Sequence, residues 1–187
     1  MASQVFPFRV NISVALNRSV LSYVRLLNRQ VVVAGFDEID FTRGPIPIPH
    51  ITLLMGDVQT PEEFEFLLRG VKECARGLRP FAYYLGTPYL REPLRHYVFV
   101  DTLPRNQFAQ IRMGLYDAVN ASIDCEHHGG PNNVSHITIG YSPIPYPYLD
   151  RLRATYRKVR GKARSVQVCE VGRRGTCIKR IKYFRIG

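Results

Sequence analysis

The stretch Pro49-His50-Ile51-Thr52-Leu53-Leu54 returns almost unchanged later in the chain as Ser135-His136-Ile137-Thr138-Ile139-Gly140-Tyr141. The chain has five histidines, and two of them open these matching His-Ile-Thr units. In an extended chain, residues two apart share a face. His50 and Thr52 therefore point together, as do His136 and Thr138, while Ile51, Leu53, Ile137 and Ile139 point the other way, into a core. Each unit displays an imidazole and a hydroxyl above an apolar anchor. One such tripeptide is more often a half-buried structural histidine on a strand. The duplication is the signal, because each copy is entered from a loop and begins a β-like run.

Four such groups on one groove suit phosphoryl transfer on RNA. One histidine takes a proton from the attacking oxygen and the other supplies one to the leaving oxygen. The threonine hydroxyls donate to the non-bridging phosphate oxygens. This chemistry calls for no metal and no cofactor.

The pair resembles the 2H phosphoesterase superfamily, whose hallmark is two H-h-[ST]-h tetrapeptides, h being hydrophobic. His50-Ile51-Thr52-Leu53 and His136-Ile137-Thr138-Ile139 match every motif position, and the FRVNISVAL strand and helix ahead of the first look similar too. The resemblance implies an α+β, bilobal fold, with two antiparallel-rich sheets flanking a central groove and helices outside. It implies metal-independent cleavage of phosphodiesters at a ribose 2′ position, with His50, Thr52, His136 and Thr138 as catalytic residues. Which histidine is acid and which is base stays open. The compact length, the early His50 and the ITLL run look most like the virus-type 2′,5′-phosphodiesterases. Bacterial ligase-like members commonly carry an arginine before the motif proline, where this chain has Ile48. The implied substrate is 2′,5′-oligoadenylate, the messenger that activates a host antiviral ribonuclease. The alternatives are a 2′,3′-cyclic nucleotide or an RNA end as substrate, a basic RNA-binding module without activity, and a structural or interaction protein.

Working outward, Arg9–Leu16 alternates as a strand, with Arg9, Asn11 and Ser13 on its polar face and Val10, Ile12 and Val14 on the other. Ser19–Ala34 has helical spacing and ends at Gly35. A proline-rich loop leads into His50. Thr60, Pro61 and Glu63 form a capping box for a helix to about Arg76. Phe81–Leu85 and His96–Val100 read as strands joined through Pro88–Pro93. Helices are expected over Asn106–Ala121 and Tyr148–Lys158, and the chain closes on a hairpin around GRRG. The order β α β α β β α β α β β favours an α+β sandwich, read as a single domain, 1–187, of two pseudo-symmetric lobes.

The 187 residues carry a net charge of +11, concentrated after Arg151, and such a field attracts polyanions, RNA foremost. No apolar run is long enough to cross a bilayer, and the N-terminus lacks a secretory pattern. A cytoplasmic protein is expected, with no membrane association and no obligate protein partner evident. Cys74, Cys125, Cys169 and Cys177 form no metal-binding spacing and read as free thiols, though Cys169 and Cys177 flank the last turn.

Candidate substrate-binding residues are Arg9, Asn11 and Ser13; Tyr141, whose strand parity turns it away from His136 unless the chain bends at Gly140; Tyr183 or Phe184, only one of which can line a groove; and Lys179, alongside Arg180 and Lys182. His127 and His128, near Cys125 and Glu126, read as loop polarity. His96, lacking a threonine two residues on, reads as structural.

Overall fold

The computed structural model describes residues 6–35, 39–41, 47–90, 97–125, 134–141 and 146–187. Its elements are β1 (Phe8–Ala15), α1 (Arg18–Val33), β2 (His50–Val58), α2 (Pro61–Gly77), β3 (Phe81–Leu90), β4 (Tyr97–Leu103), α3 (Arg105–Val119), β5 (His136–Tyr141), α4 (Tyr146–Ala154), β6 (Arg160–Ala163), β7 (Ser165–Val171) and β8 (Cys177–Arg185). They form two four-stranded sheets, ordered β2-β1-β7-β8 and β5-β4-β3-β6, and every pairing is antiparallel. The fold is the expected α+β arrangement.

Local chemistry explains most of the elements. On α1, Val20, Val24, Leu27 and Val31 are buried at helical spacing, and Gly35 follows the helix with φ 89°, a left-handed turn that costs glycine least. The Thr60 hydroxyl accepts from Glu63 N at 3.1 Å while the Glu63 carboxylate accepts from Thr60 N at 3.2 Å, so α2 has its capping box.

Two expectations need correction. The helix predicted to reach Lys158 stops at Ala154, and β6, which the sequence pattern does not announce, follows it. Its buried residues are only Gly161 and Ala163, too small to write a hydrophobic alternation. Gly161 lies flat under Tyr83, where a Cβ would come within 2.1 Å of the ring. The second correction is β3, which runs on through Pro88 to Leu90. The proline is tolerated because it adjoins a register shift, where the ladder is already interrupted.

The helices cross between the halves. α1, which follows β1 of the first sheet, packs on β5 of the second, and α3, which follows β4 of the second, packs on β2 of the first. Gly140 permits this approach: a Cβ there would stand 2.7 Å from Val31 Cγ1. β2 and β5, the end strands of their sheets, also contact one another. Ile51, Leu53, Ile137 and Ile139 are fully buried, as the alternation requires, each burial contributing about 1.5–3 kcal/mol. The His-Ile-Thr strands thus stand together, with helices behind them.

Candidate active site

His50 opens β2 and His136 opens β5. Both, with Thr52 and Thr138, are half-buried while their apolar neighbours are sealed. The two rings are anchored alike. His50 Nδ1 lies 2.7 Å from Ile48 O, and His136 Nδ1 lies 2.8 Å from Val134 O. A carbonyl oxygen only accepts, so Nδ1 carries a proton in each ring, and in the neutral state Nε2 presents its lone pair. The anchors are themselves held. Ile48 N donates to Cys177 O at 2.8 Å, tying this segment to the start of β8. Next to Val134, the Ser135 carbonyl accepts from Thr102 Oγ1 at 2.9 Å.

Asn11 lies fully buried on β1. Its Nδ2 donates to Thr52 Oγ1 at 3.0 Å and lies 3.3 Å from His50 Nε2. Because Thr52 accepts there, its own hydroxyl hydrogen is left to donate elsewhere. The Asn11 Oδ1 has no hydrogen-bond partner among the described residues. Turning the amide over would offer that oxygen to a protonated Nε2, so Asn11 can serve either state of the ring. Burial lowers the His50 pKa from its ordinary 6.5, with the Ile48 bond opposing more weakly; at neutral pH the ring is a neutral acceptor.

His136 packs on Phe99, ring centroids 4.1 Å apart at 53°, and stands opposite Asp101 in the β4–β5 register. The Asp101 carboxylate accepts from Thr102 N and from Arg105.

A bulge settles where Tyr141 points. Phe99 faces Thr138 and Val98 faces Gly140, leaving Ile139 unopposed, so Tyr97 comes to face Tyr141. Opposed residues share a face, and the extra residue turns Tyr141 onto the side of His136 and Thr138. The register shift, rather than a bend at Gly140, is what reverses the parity, and Tyr141 also packs against the core. Tyr141 meets Tyr97 edge-on at 4.6 Å, and Tyr97 stacks on Phe99 at 5.5 Å and 4°. An aromatic row therefore runs along the sheet from His136. At its end Arg174, in the β7–β8 turn, lies over the Tyr141 ring with its guanidinium carbon 4.0 Å from the centroid.

The other sequence-predicted residues divide. Ser13 is buried on the same face as Thr52, its register partner, so the strand face read as polar is covered rather than solvated. Ser13 Oγ accepts from Gln167 Nε2 at 3.2 Å, and Gln167 Oε1 accepts from Arg180 Nε at 2.8 Å. Arg180, not Lys179, lies on this face: Arg180 opposes Cys169, whereas Lys179 opposes Glu170 on the reverse side. The reason is a bulge in β8 that shifts the parity. Tyr183 opposes Gln167 and so shares the face of Ser13 and Thr52, while Phe184 opposes Val166 and packs against the core. Arg9 donates to Asp57 through Nε at 2.8 Å and Nη2 at 2.6 Å, near the far end of β2 from His50. That pairing and distance remove it from the site.

Gln167, Phe99, Asn28 and Arg112 escaped the sequence reading. Gln167 has a trace in the sequence, a lone amide alternating with Val166 and Val168. Asn28 and Arg112 stand on helices yet are buried, and each bridges distant segments: Asn28 Nδ2 donates to Ile39 O and Ile139 O, and its Oδ1 accepts from Phe41 N. Cys169 and Cys177 are buried free thiols, as are Cys125 and the half-buried Cys74. His96, Glu126, His127 and His128 lie outside the described residues. Among the described residues no three His, Cys, Asp or Glu side chains cluster as a metal site.

Two antiparallel sheets whose end strands each present an Nδ1-anchored histidine with a threonine companion define a two-histidine phosphoesterase architecture. The family model of the 2′-5′ RNA ligase superfamily matches residues 39–173, and the chain belongs to that superfamily, the 2H phosphoesterases. TT0787 of Thermus thermophilus shares the fold with a TM-score of 0.66 at 17% identity, over 95% of this chain and 97% of that one. LigT of E. coli complexed with 3′-AMP gives 0.64 at 15%, over 96% and 98%. Usb1 of Kluyveromyces marxianus gives 0.54 at 14%, over 96% and 97%. No curated protein matches the sequence.

Proposed function

We propose that the protein is a two-histidine phosphodiesterase that cleaves 2′,5′-linked oligoadenylate, with His50 as general base and His136 as general acid. The observation that carries this reading is the paired Nδ1 anchoring, which makes Nε2 the working atom of both rings. His50, kept neutral by burial, takes the proton from the ribose 3′-hydroxyl next to the linkage. That oxygen attacks phosphorus, the bond to the 5′-oxygen breaks, and His136, entering the step as the imidazolium with Nδ1 held by Val134 O, delivers its Nε2 proton to the leaving oxygen. The products are a 2′,3′-cyclic phosphate and a free 5′-hydroxyl. Thr52 and Thr138 donate to the non-bridging oxygens. The half-buried Tyr97 and Tyr141, backed by the buried Phe99, suit a nucleobase, for which stacking contributes about 1–3 kcal/mol per base, and Arg180 suits a flanking phosphate. LigT of E. coli has been solved with 3′-AMP and with ATP, which supports an adenine nucleotide here. Removing 2′,5′-oligoadenylate would silence the ribonuclease that it activates.

The test incubates the purified chain, with chelator present, with 2′,5′- and 3′,5′-linked triadenylate and a 2′,3′-cyclic nucleotide. Chelator-resistant loss of the 2′,5′-linked substrate, abolished in His50→Ala and in His136→Ala, is expected. Turnover that survives either substitution removes the catalytic assignment. Turnover of the cyclic nucleotide alone moves the substrate to the other branch, and tight RNA binding without turnover makes the protein a binding module.

A further inference from the structure

Arg112, on α3, is only 2% exposed. Its Nε donates to Leu53 O at 2.8 Å and its Nη2 donates to Ser135 Oγ at 2.5 Å. Leu53 directly follows Thr52, and Ser135 directly precedes His136. One planar guanidinium therefore spans the two strands that carry the histidines and their hydroxyl companions. No backbone ladder joins those strands, since β2 and β5 end different sheets. Leu53 is also the residue left unopposed by the β1–β2 bulge, so Arg112 meets the chain where the ladder is interrupted. Ser135 is gripped from its other side by Thr102, whose N and Oγ1 both donate to its carbonyl.

Stability alone does not account for a guanidinium here. Burying a charge costs several kcal/mol, and apolar side chains of similar volume commonly replace buried ions with no loss of stability. Arg112 takes part in none of the ion pairs found among the described residues. What an apolar side chain cannot do is hold two acceptors on separate strands at a set spacing, which the rigid fork of arginine does.

We propose that Arg112 is a positioning residue that sets the separation of His50 and His136 by clamping β2 to β5. The inference rests on the two-histidine reading above, and its test separates the two. In Arg112→Met, kcat falls by about a hundredfold, the usual result of misplacing reacting groups by about an ångström, while KM stays within about threefold because the base- and phosphate-binding side chains are untouched. Hydrogen exchange in that variant accelerates at the β2 and β5 amides and not in α2 or β7. Arg112→Lys, which reaches one acceptor, recovers part of kcat. A folded Arg112→Met with wild-type kcat overturns the clamp, as does protection lost evenly over the whole chain. Should Arg112→Met not fold, Ser135→Ala removes one arm only, and kcat falls about tenfold, the equivalent of one charge-assisted bond; wild-type kcat there is equally fatal. If the wild-type chain turns over none of the three substrates, the reaction assignment fails, and the exchange pattern still decides the clamp.

Discussion

At His50 one carbonyl and burial settle the ring's chemistry. The Ile48 carbonyl places the proton on Nδ1, and burial makes the imidazolium costly. The sign of the pH dependence follows. With His50 as the proposed base, its lowered pKa keeps it neutral into more acid solution, so the acid limb of kcat/KM should lie below 6.5, the ordinary value for histidine. The same shift weakens folding in acid. The unfolded chain takes up a proton near 6.5 and the folded one does not, so stability declines as pH falls from there toward the folded pKa. A kcat/KM profile together with ring NMR titration of His50 checks both; an acid limb above the ordinary value refutes them. Asn11→Asp sharpens the test. A carboxylate facing Nε2 favours the imidazolium, so the acid limb moves up in pH and activity at neutral pH drops.

At the scale of elements, bulges and close approaches decide which side chains meet. Gly140 both closes the β5 bulge and admits α1, whose Val31 leaves no room for a Cβ. Gly140→Val should cost about 1–3 kcal/mol through overpacking, read as a lower urea midpoint, and should also disturb Tyr141. Asn28→Ala leaves Ile39 O, Ile139 O and Phe41 N without their shared partner. Its cost is larger, at least about 2 kcal/mol, since buried backbone groups lose their hydrogen bonds. A midpoint unchanged in either variant would show that water or a shifted backbone replaces the contact. Strand periodicity made the His-Ile-Thr faces legible, because alternation is a local rule. It failed at Tyr141, where one inserted residue reverses the side chains that follow, and at β6, whose small buried residues leave the alternation unmarked.

Over the whole molecule the charge is strongly positive, with 26 basic against 15 acidic residues. Several of the acids are already engaged: Asp57 with Arg9, Asp101 with Arg105 and Asp150 with Arg153. A field of this sign would draw in a polyanion from solution and is screened beyond about 10 Å at 0.1 M salt. For an oligonucleotide substrate, kcat/KM should therefore fall as salt rises while kcat changes little, since the chemical step occurs after docking. Steady-state kinetics across a salt series decide this, and a salt-independent kcat/KM would mean that long-range charge has no part in capture.

The sequence alone determined the duplicated histidine–threonine face, the apolar anchors behind it, the helices α1, α2 and α3, and the α+β class. Each depends on periodicity or capping between residues close in the chain. Tertiary structure decided that Tyr141 lies on the His136 face of its sheet, that Tyr183 and Arg180 lie on the Thr52 face of theirs while Phe184 and Lys179 do not, and that Arg9 pairs with Asp57. It also placed Asn28 and Arg112 in the interior as bridges. Those outcomes turn on register and on which helix crosses to which strand, and such long-range pairings leave no periodic trace in the sequence.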